Sequence, residues 1–143
     1  MDTKGVLFGE PEPRRRVAAL ALTLPALASV AFLLGVDVVL GFTLLTLSLV
    51  VALYAGARRA GALVGLGTVY LTVLWRFVFP PLVGYVRSSM DTRYTPPRAL
   101  GYKLHPRGEL IEGLTHGPIY ALGIAVVLGG GVYLVGTLIG RLY

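Results

Sequence analysis

Few side chains in this sequence can do chemistry, and most of them sit beside or inside apolar runs. Arg76 stands within Gly61 to Val86, GALVGLGTVYLTVLWRFVFPPLVGYV, a stretch apolar enough to cross a membrane. On a helix, Gly61, Gly65, Thr68, Thr72 and Arg76 share a small and polar face, while Leu63, Leu66, Tyr70, Leu74 and Phe77 cover another face that suits lipid. Asp37 lies at the tip of a predicted hairpin, and His116 and Tyr120 flank the start of the last apolar segment. If the chain crosses four times, Asp37, Arg76, His116 and Tyr120 all fall near the outer face. Asp37 is expected to pair with Arg76, because a partly buried charge in a membrane bundle takes a partner or water. In its functional form this constellation is a polar site, reached along Thr68 and Thr72, for an ion, a proton or a lipid headgroup. In its plain form it is a salt bridge that fixes helix register.

The other candidates are weaker. Glu109 and Glu112 lie three apart on a predicted surface helix and have the spacing of a carboxylate pair for acid–base work, although a solvated helix face explains them as well. His105 and His116 are eleven residues apart without helical metal spacing, and neither lies mid-span where a haem would take an axial ligand. The glycine run Leu128 to Val132 lacks the GxxxxGK pattern of a phosphate loop and reads as a packing surface or hinge. Tyr85, Tyr94, Tyr102 and Tyr120, with nearby arginines, suit anionic headgroups or a partner subunit. No catalytic, metal or cofactor motif stands out, so the sequence predicts no enzyme activity and no cofactor.

The elements that would position these residues follow from composition. The chain has 143 residues, 55% hydrophobic and only 14% charged, with a mean hydropathy of +0.75. An ordinary soluble domain carries about 25% charged residues, so an all-α integral membrane protein is expected. The net charge of +6 does not indicate nucleic acid, since the basic residues flank apolar segments instead of forming an aromatic-interleaved stripe. Cysteine is absent, which excludes disulfides and thiolate chemistry. Arginine outnumbers lysine eleven to two, and asparagine and glutamine are missing. That bias fits a GC-rich genome or adaptation to heat better than a functional signal.

In order, residues 1–16 read as a polar cytoplasmic tail ending in Arg14, Arg15 and Arg16. A signal peptide cleaved near Ala26, Leu27 and Ala28 is the alternative, but no polar mature sequence follows. Residues 17–86 hold three predicted transmembrane helices, at about 17–35 with a bend at Pro25, 38–57, and 61–80 ending at Pro80-Pro81. Arg76 then lies roughly 22 Å along the third, in the far leaflet, with Trp75 beside it at headgroup depth. Residues 87–117 form one long basic loop between helices 3 and 4, with a possible interfacial helix at Pro106 to Leu114. Residues 118–143 carry the fourth helix, where Ala121, Ala125 and Gly129, and again Gly136 and Gly140, step by four. With Gly61 and Gly65, these small residues are the predicted helix-packing positions.

The four-span arrangement puts seven basic residues inside against five in the long outer loop. If the third segment dips in and returns, the count becomes eleven against one. Segment length favours four spans in a compact bundle with a cytoplasmic N-terminus in the cell membrane. The expected role is a non-catalytic accessory or scaffold subunit contacting membrane lipids and either copies of itself or other membrane subunits, with no nucleic acid. A transporter or channel component with a Thr/Arg-lined face is the alternative, and a lipid-modifying enzyme using the long loop is a second.

Overall fold

A computed structural model describes residues 2–36, 40–89, 91–97 and 105–143. Asp37, Arg98, Tyr102 and Lys103 lie outside the described residues, and so does the proposed pairing of Asp37 with Arg76. Every regular element among the described residues is helical. Three helical stretches, Thr3–Leu33, Ala62–Arg87 and Pro106–Leu142, are long and apolar enough to cross a membrane. The sequence predicts four. The remaining apolar helix, Leu40–Ala57, has 18 residues and so measures about 27 Å, a little short of a hydrocarbon core.

The N-terminal tail is helical rather than irregular. Helix α1 (Thr3–Phe8) is capped by Asp2, whose carboxylate accepts from the Lys4 N–H, and α2 (Pro11–Leu33) starts with Pro11, whose missing N–H is no loss in a first turn. Arg14 to Arg16 therefore belong to α2, and Arg16 pairs with Glu12 one turn earlier. The corner between α1 and α2 rests on the turn between α3 (Leu40–Ala57) and α4 (Ala62–Arg87) through two glycines. Gly9 has φ +63° and Gly61 φ +104°, and a Cβ on Gly61 would lie 2.5 Å from the Phe8 carbonyl carbon. Gly61 thus caps α4 against α1; it does not pack two spanning helices together as its spacing suggests.

Helix α4 runs unbroken through Pro80-Pro81 to Arg87, so it neither ends at the prolines nor turns back. Both prolines are buried against neighbouring elements. The prolines cannot donate to the carbonyls of Arg76 and Phe77, one turn earlier. Gly113 of α5 (Pro106–Ile124) is pressed onto one of these: a Cβ there would lie 2.0 Å from the Phe77 oxygen, so the glycine Cα–H faces that acceptor. A neighbouring helix filling a freed position is the condition under which proline persists inside a membrane helix.

The last 37 residues of helix are likewise continuous, α5 passing through a π turn (Ala125–Gly129) into α6 (Gly130–Leu142). Pro118 lies inside α5 rather than opening a separate span. Glu109, Gly113, Gly117, Ala121, Ala125, Gly129 and Tyr133 are all buried at steps of four. Each such step advances about 40° around an α-helix, so the buried seam winds as it descends. It accordingly begins on α4, with Gly117 against Phe77 and Gly129 against Val69, and finishes on α3. There Gly136 and Gly140 lie so close that a Cβ would meet the carbonyl oxygens of Leu53 and Ala57 at 2.1 and 2.3 Å. Gly56 of α3 returns the contact on Tyr133. The predicted small-residue seams at Gly65, Ala121, Ala125, Gly129, Gly136 and Gly140 are therefore closed by the chain's own helices.

Helices α3 and α4 form the centre, flanked by α2 and by α5–α6. Three apolar layers stack along the bundle: Ala28, Phe32, Leu44, Trp75, Val83 and Tyr94 at one end, Ala52, Val69, Val73, Phe77, Ala121 and Ala125 in the middle, and Val17, Val51, Ala55, Ala60 and Tyr133 at the other end. Phe77, placed on a lipid face by its spacing, is buried in the middle layer.

Candidate functional site

A set of interlinked polar groups gathers at the end of the bundle where α2 stops, α4 stops and α5 begins. A short 3-10 turn, Thr92–Tyr94, folds down onto this end because Gly84 leaves room for it; a Cβ at Gly84 would lie 2.6 Å from Tyr94 Cβ. Ser88, in the left-handed region at φ 51°, ends α4, and the Ser89 N–H donates to the Gly84 carbonyl at 2.9 Å, turning the chain back toward the bundle.

Three guanidinium groups fasten this turn. Arg93 Nη2 donates to the Phe32 carbonyl at 2.6 Å, in the last turn of α2, where a cation also complements the helix dipole. The same guanidinium lies 4.6 Å from the Phe32 ring centroid and 5.2 Å from that of Tyr94. Arg76 Nη1 donates to the Thr95 carbonyl at 3.0 Å, and its side chain passes over Gly41 at the start of α3. Arg87 Nη1 approaches the Tyr94 hydroxyl at 3.4 Å. Beneath them Phe32, Trp75, Phe79 and Tyr94 form a ring cluster, Trp75 stacked on Phe79 at 5.4 Å and edge-on to Phe32 at 6.2 Å. Trp75 donates from Nε1 to Ser29 Oγ at 2.9 Å. It is a buried core residue, with α4 continuing three turns beyond it.

Around Arg76 the structure rearranges the predicted constellation. Thr68 and Thr72 are buried, and their hydroxyls donate to the carbonyls of Val64 and Thr68 on their own helix at 2.7 and 2.8 Å. Both side chains lie in the interior. Tyr120 stacks on Phe77 with ring centroids 5.6 Å apart, on the α5 side of α4, whereas Arg76 turns toward α3 and the loop. His116 is exposed, its Nδ1 3.2 Å from the Glu112 carbonyl oxygen. Among the described residues, then, Arg76 meets the loop at Thr95 and not His116 or Tyr120. His105 caps α5, its Nδ1 accepting from the Gly108 N–H at 3.0 Å.

Two residues at this end carry more than their sequence context suggests. Glu109, expected on a solvated face with Glu112, is only 4% exposed. It lines a small recess with Pro81, Gly84, Ser89, Asp91, Tyr94, Thr95 and Pro106. The step-of-four series reaches back to Glu109, and that was the signal for its burial. Arg93 has no such signal, since nothing in TRYTPP marks which arginine bends back 61 residues to α2.

The arrangement is a clamp holding a loop to two helix ends. Arg93→Met is expected to lower stability by about 1–2 kcal/mol through the lost carbonyl bond and ring contacts. Arg93→Lys should restore only part, as an ammonium lacks the planar fork. Thermal denaturation in detergent reads both, and an unchanged midpoint in Arg93→Met would rule out the clamp.

Comparison of the chain with family models, curated proteins and solved structures returns no match in any of the three.

Proposed function

We propose that this chain is a four-span protein of the cell membrane, with its N-terminus in the cytoplasm, acting as a non-catalytic accessory or scaffold subunit. Helix α3 counts as a span in this reading despite its length, because α2, α4 and α6 pack along it and Ala52 and Ala55 are fully buried between them. Arg87 and the loop after it then lie outside, opposite Arg14 to Arg16. Asp37 is proposed as the partner of Arg76.

The observation that carries the subunit reading is the outer surface. With the glycine and alanine seams used internally, much of what remains exposed on α2 and α5–α6 is apolar: Leu22, Leu27 and Val30 on one, and Ile119, Val127, Leu134 and Leu138 on the other. Such faces suit lipid and a neighbouring span alike. Extraction of the tagged chain from its native membrane in mild detergent is expected to bring down a stoichiometric membrane partner or a discrete homo-oligomer. A monomer without a companion at native expression would overturn the subunit reading. Topology has its own measurement: Ser88→Cys should react with an impermeant thiol reagent from outside, and reaction only from the cytoplasmic side would rule out four spans.

A further inference from the structure

The end of the bundle opposite the arginine clamp gathers cations from three parts of the chain. Arg14, Arg15 and Arg16 lie in the first turns of α2, Arg58 and Arg59 in the turn from α3 to α4, and Arg141 in the last turn of α6. The fold brings them to one end: the Glu10 N–H donates to the Arg59 carbonyl at 2.8 Å, and Gly140 is pressed against Ala57. With Lys4, this end carries seven basic side chains against the three carboxylates of Asp2, Glu10 and Glu12. Of these carboxylates, Glu12 is paired with Arg16 on the exposed side of α2. Tyr54 of α3, one turn before Arg58, packs on the apolar layer that contains Val17, the residue after Arg16.

The depth of this cluster is fixed by its neighbours. Val17, next to Arg16, is fully buried in the apolar layer with Val51, Ala55 and Ala60, so the arginines begin where the apolar layer ends. Leu7 and Phe8 of α1 are partly exposed beside them. Cations above an apolar layer, with apolar side chains alongside, match the boundary between acyl chains and headgroups.

We propose that this end binds the phosphate of anionic phospholipids, seated among Arg16, Tyr54 and Arg58, with Arg15, Arg59 and Arg141 around it. Guanidinium groups offer planar pairs of N–H donors that match phosphate oxygens, and the Tyr54 hydroxyl adds a donor beside them. Orientation by the positive-inside rule needs only charge on one side; it does not need a phenol packed beside guanidinium groups from two parts of the chain. The proposal rests on the membrane reading, whose own failure would show separately as release of the chain by an alkaline carbonate wash.

The test uses the full chain in a neutral detergent, with phosphatidylglycerol, phosphatidylcholine or inorganic phosphate added, read by melting temperature and by lipid retained in native mass spectrometry. Phosphatidylglycerol should raise the melting temperature and be retained about tenfold over phosphatidylcholine. In the double variant Arg16→Gln, Arg58→Gln that preference should fall to near unity, with partial recovery in the corresponding lysine pair. Should the double variant not fold, Tyr54→Phe alone is expected to reduce the preference by a few-fold. Equal retention of both lipids, an unchanged preference in the variants, an equal loss in Arg87→Gln at the opposite end, or a full shift with inorganic phosphate alone would each overturn the proposal.

Discussion

Gly136→Leu is expected to destabilise the bundle by more than about 3 kcal/mol, whereas Gly123→Leu is expected to leave it nearly unchanged. A Cβ at position 136 would stand 2.1 Å from the Leu53 oxygen, and the obstructing group is backbone, which cannot move without α3 moving with it. Gly140 and Gly56 tighten the same seam, so α3 and α6 must separate over more than a turn to admit the side chain. At Gly123 a Cβ has nothing within 4 Å, and the residue is exposed among apolar neighbours. Unfolding both variants in mixed micelles of mild detergent and dodecyl sulfate separates them, and coincident midpoints would refute the seam.

Trp75→Ala should cost about 3–5 kcal/mol, the range for removing a large aromatic side chain from a packed interior. Trp75 holds the layer next to the arginine clamp: it stacks on Phe79, meets Phe32 edge-on and donates to Ser29 Oγ, which itself donates to the Pro25 carbonyl at 2.7 Å. Trp75→Phe keeps most of the ring contact and loses the hydrogen bond, so its cost should be nearer 1 kcal/mol. A Trp75→Ala variant as stable as Trp75→Phe would show that the ring is not buried as described. Because Phe32 carries the carbonyl that Arg93 binds, the alanine variant should also loosen the 3-10 turn. Faster hydrogen exchange at the Tyr94 and Thr95 amides, whose bonds to Asp91 and Thr92 hold that turn, would report it.

The apolar helices were legible because their length and lack of charge leave little else for them to be, and the glycine and alanine steps from Ala121 to Gly140 marked a seam that the structure uses. The identity of the partner across that seam was not legible. A small residue announces close approach without naming what approaches, and here it is α3 and α4 of the same chain. Proline misleads at two neighbouring places for one reason. At Pro80 and Pro81 the local cost of a lost N–H reads as a helix end, but the cost falls on a carbonyl one turn back, and tertiary packing such as Gly113 on Phe77 decides whether it is borne. Trp75 beside Arg76 resembled a headgroup belt because aromatic and basic residues together mark both an interface and a clamp. Of the candidate site, Arg76, which donates to the Thr95 carbonyl, was singled out by its setting in an apolar run. Arg93 was not, since its contact is with a backbone carbonyl and depends only on where the chain turns.

The π turn at Ala125–Gly129 gives the last helix one residue of slack. A π turn accommodates a single extra residue inside an α-helix without disturbing the phase of the turns on either side. Above it, Gly113 and Gly117 are registered on Phe77; below it, Gly136 and Gly140 are registered on Leu53 and Ala57. Removing one residue, such as Val127, would let the turn close to ordinary α geometry while both halves keep their seats. A residue added within the same five has no such outlet, and would swing α6 by about 100° and bring Gly136 and Gly140 off α3. The helix therefore tolerates shortening and lengthening unequally, and that asymmetry is a property of its two halves answering to different neighbours.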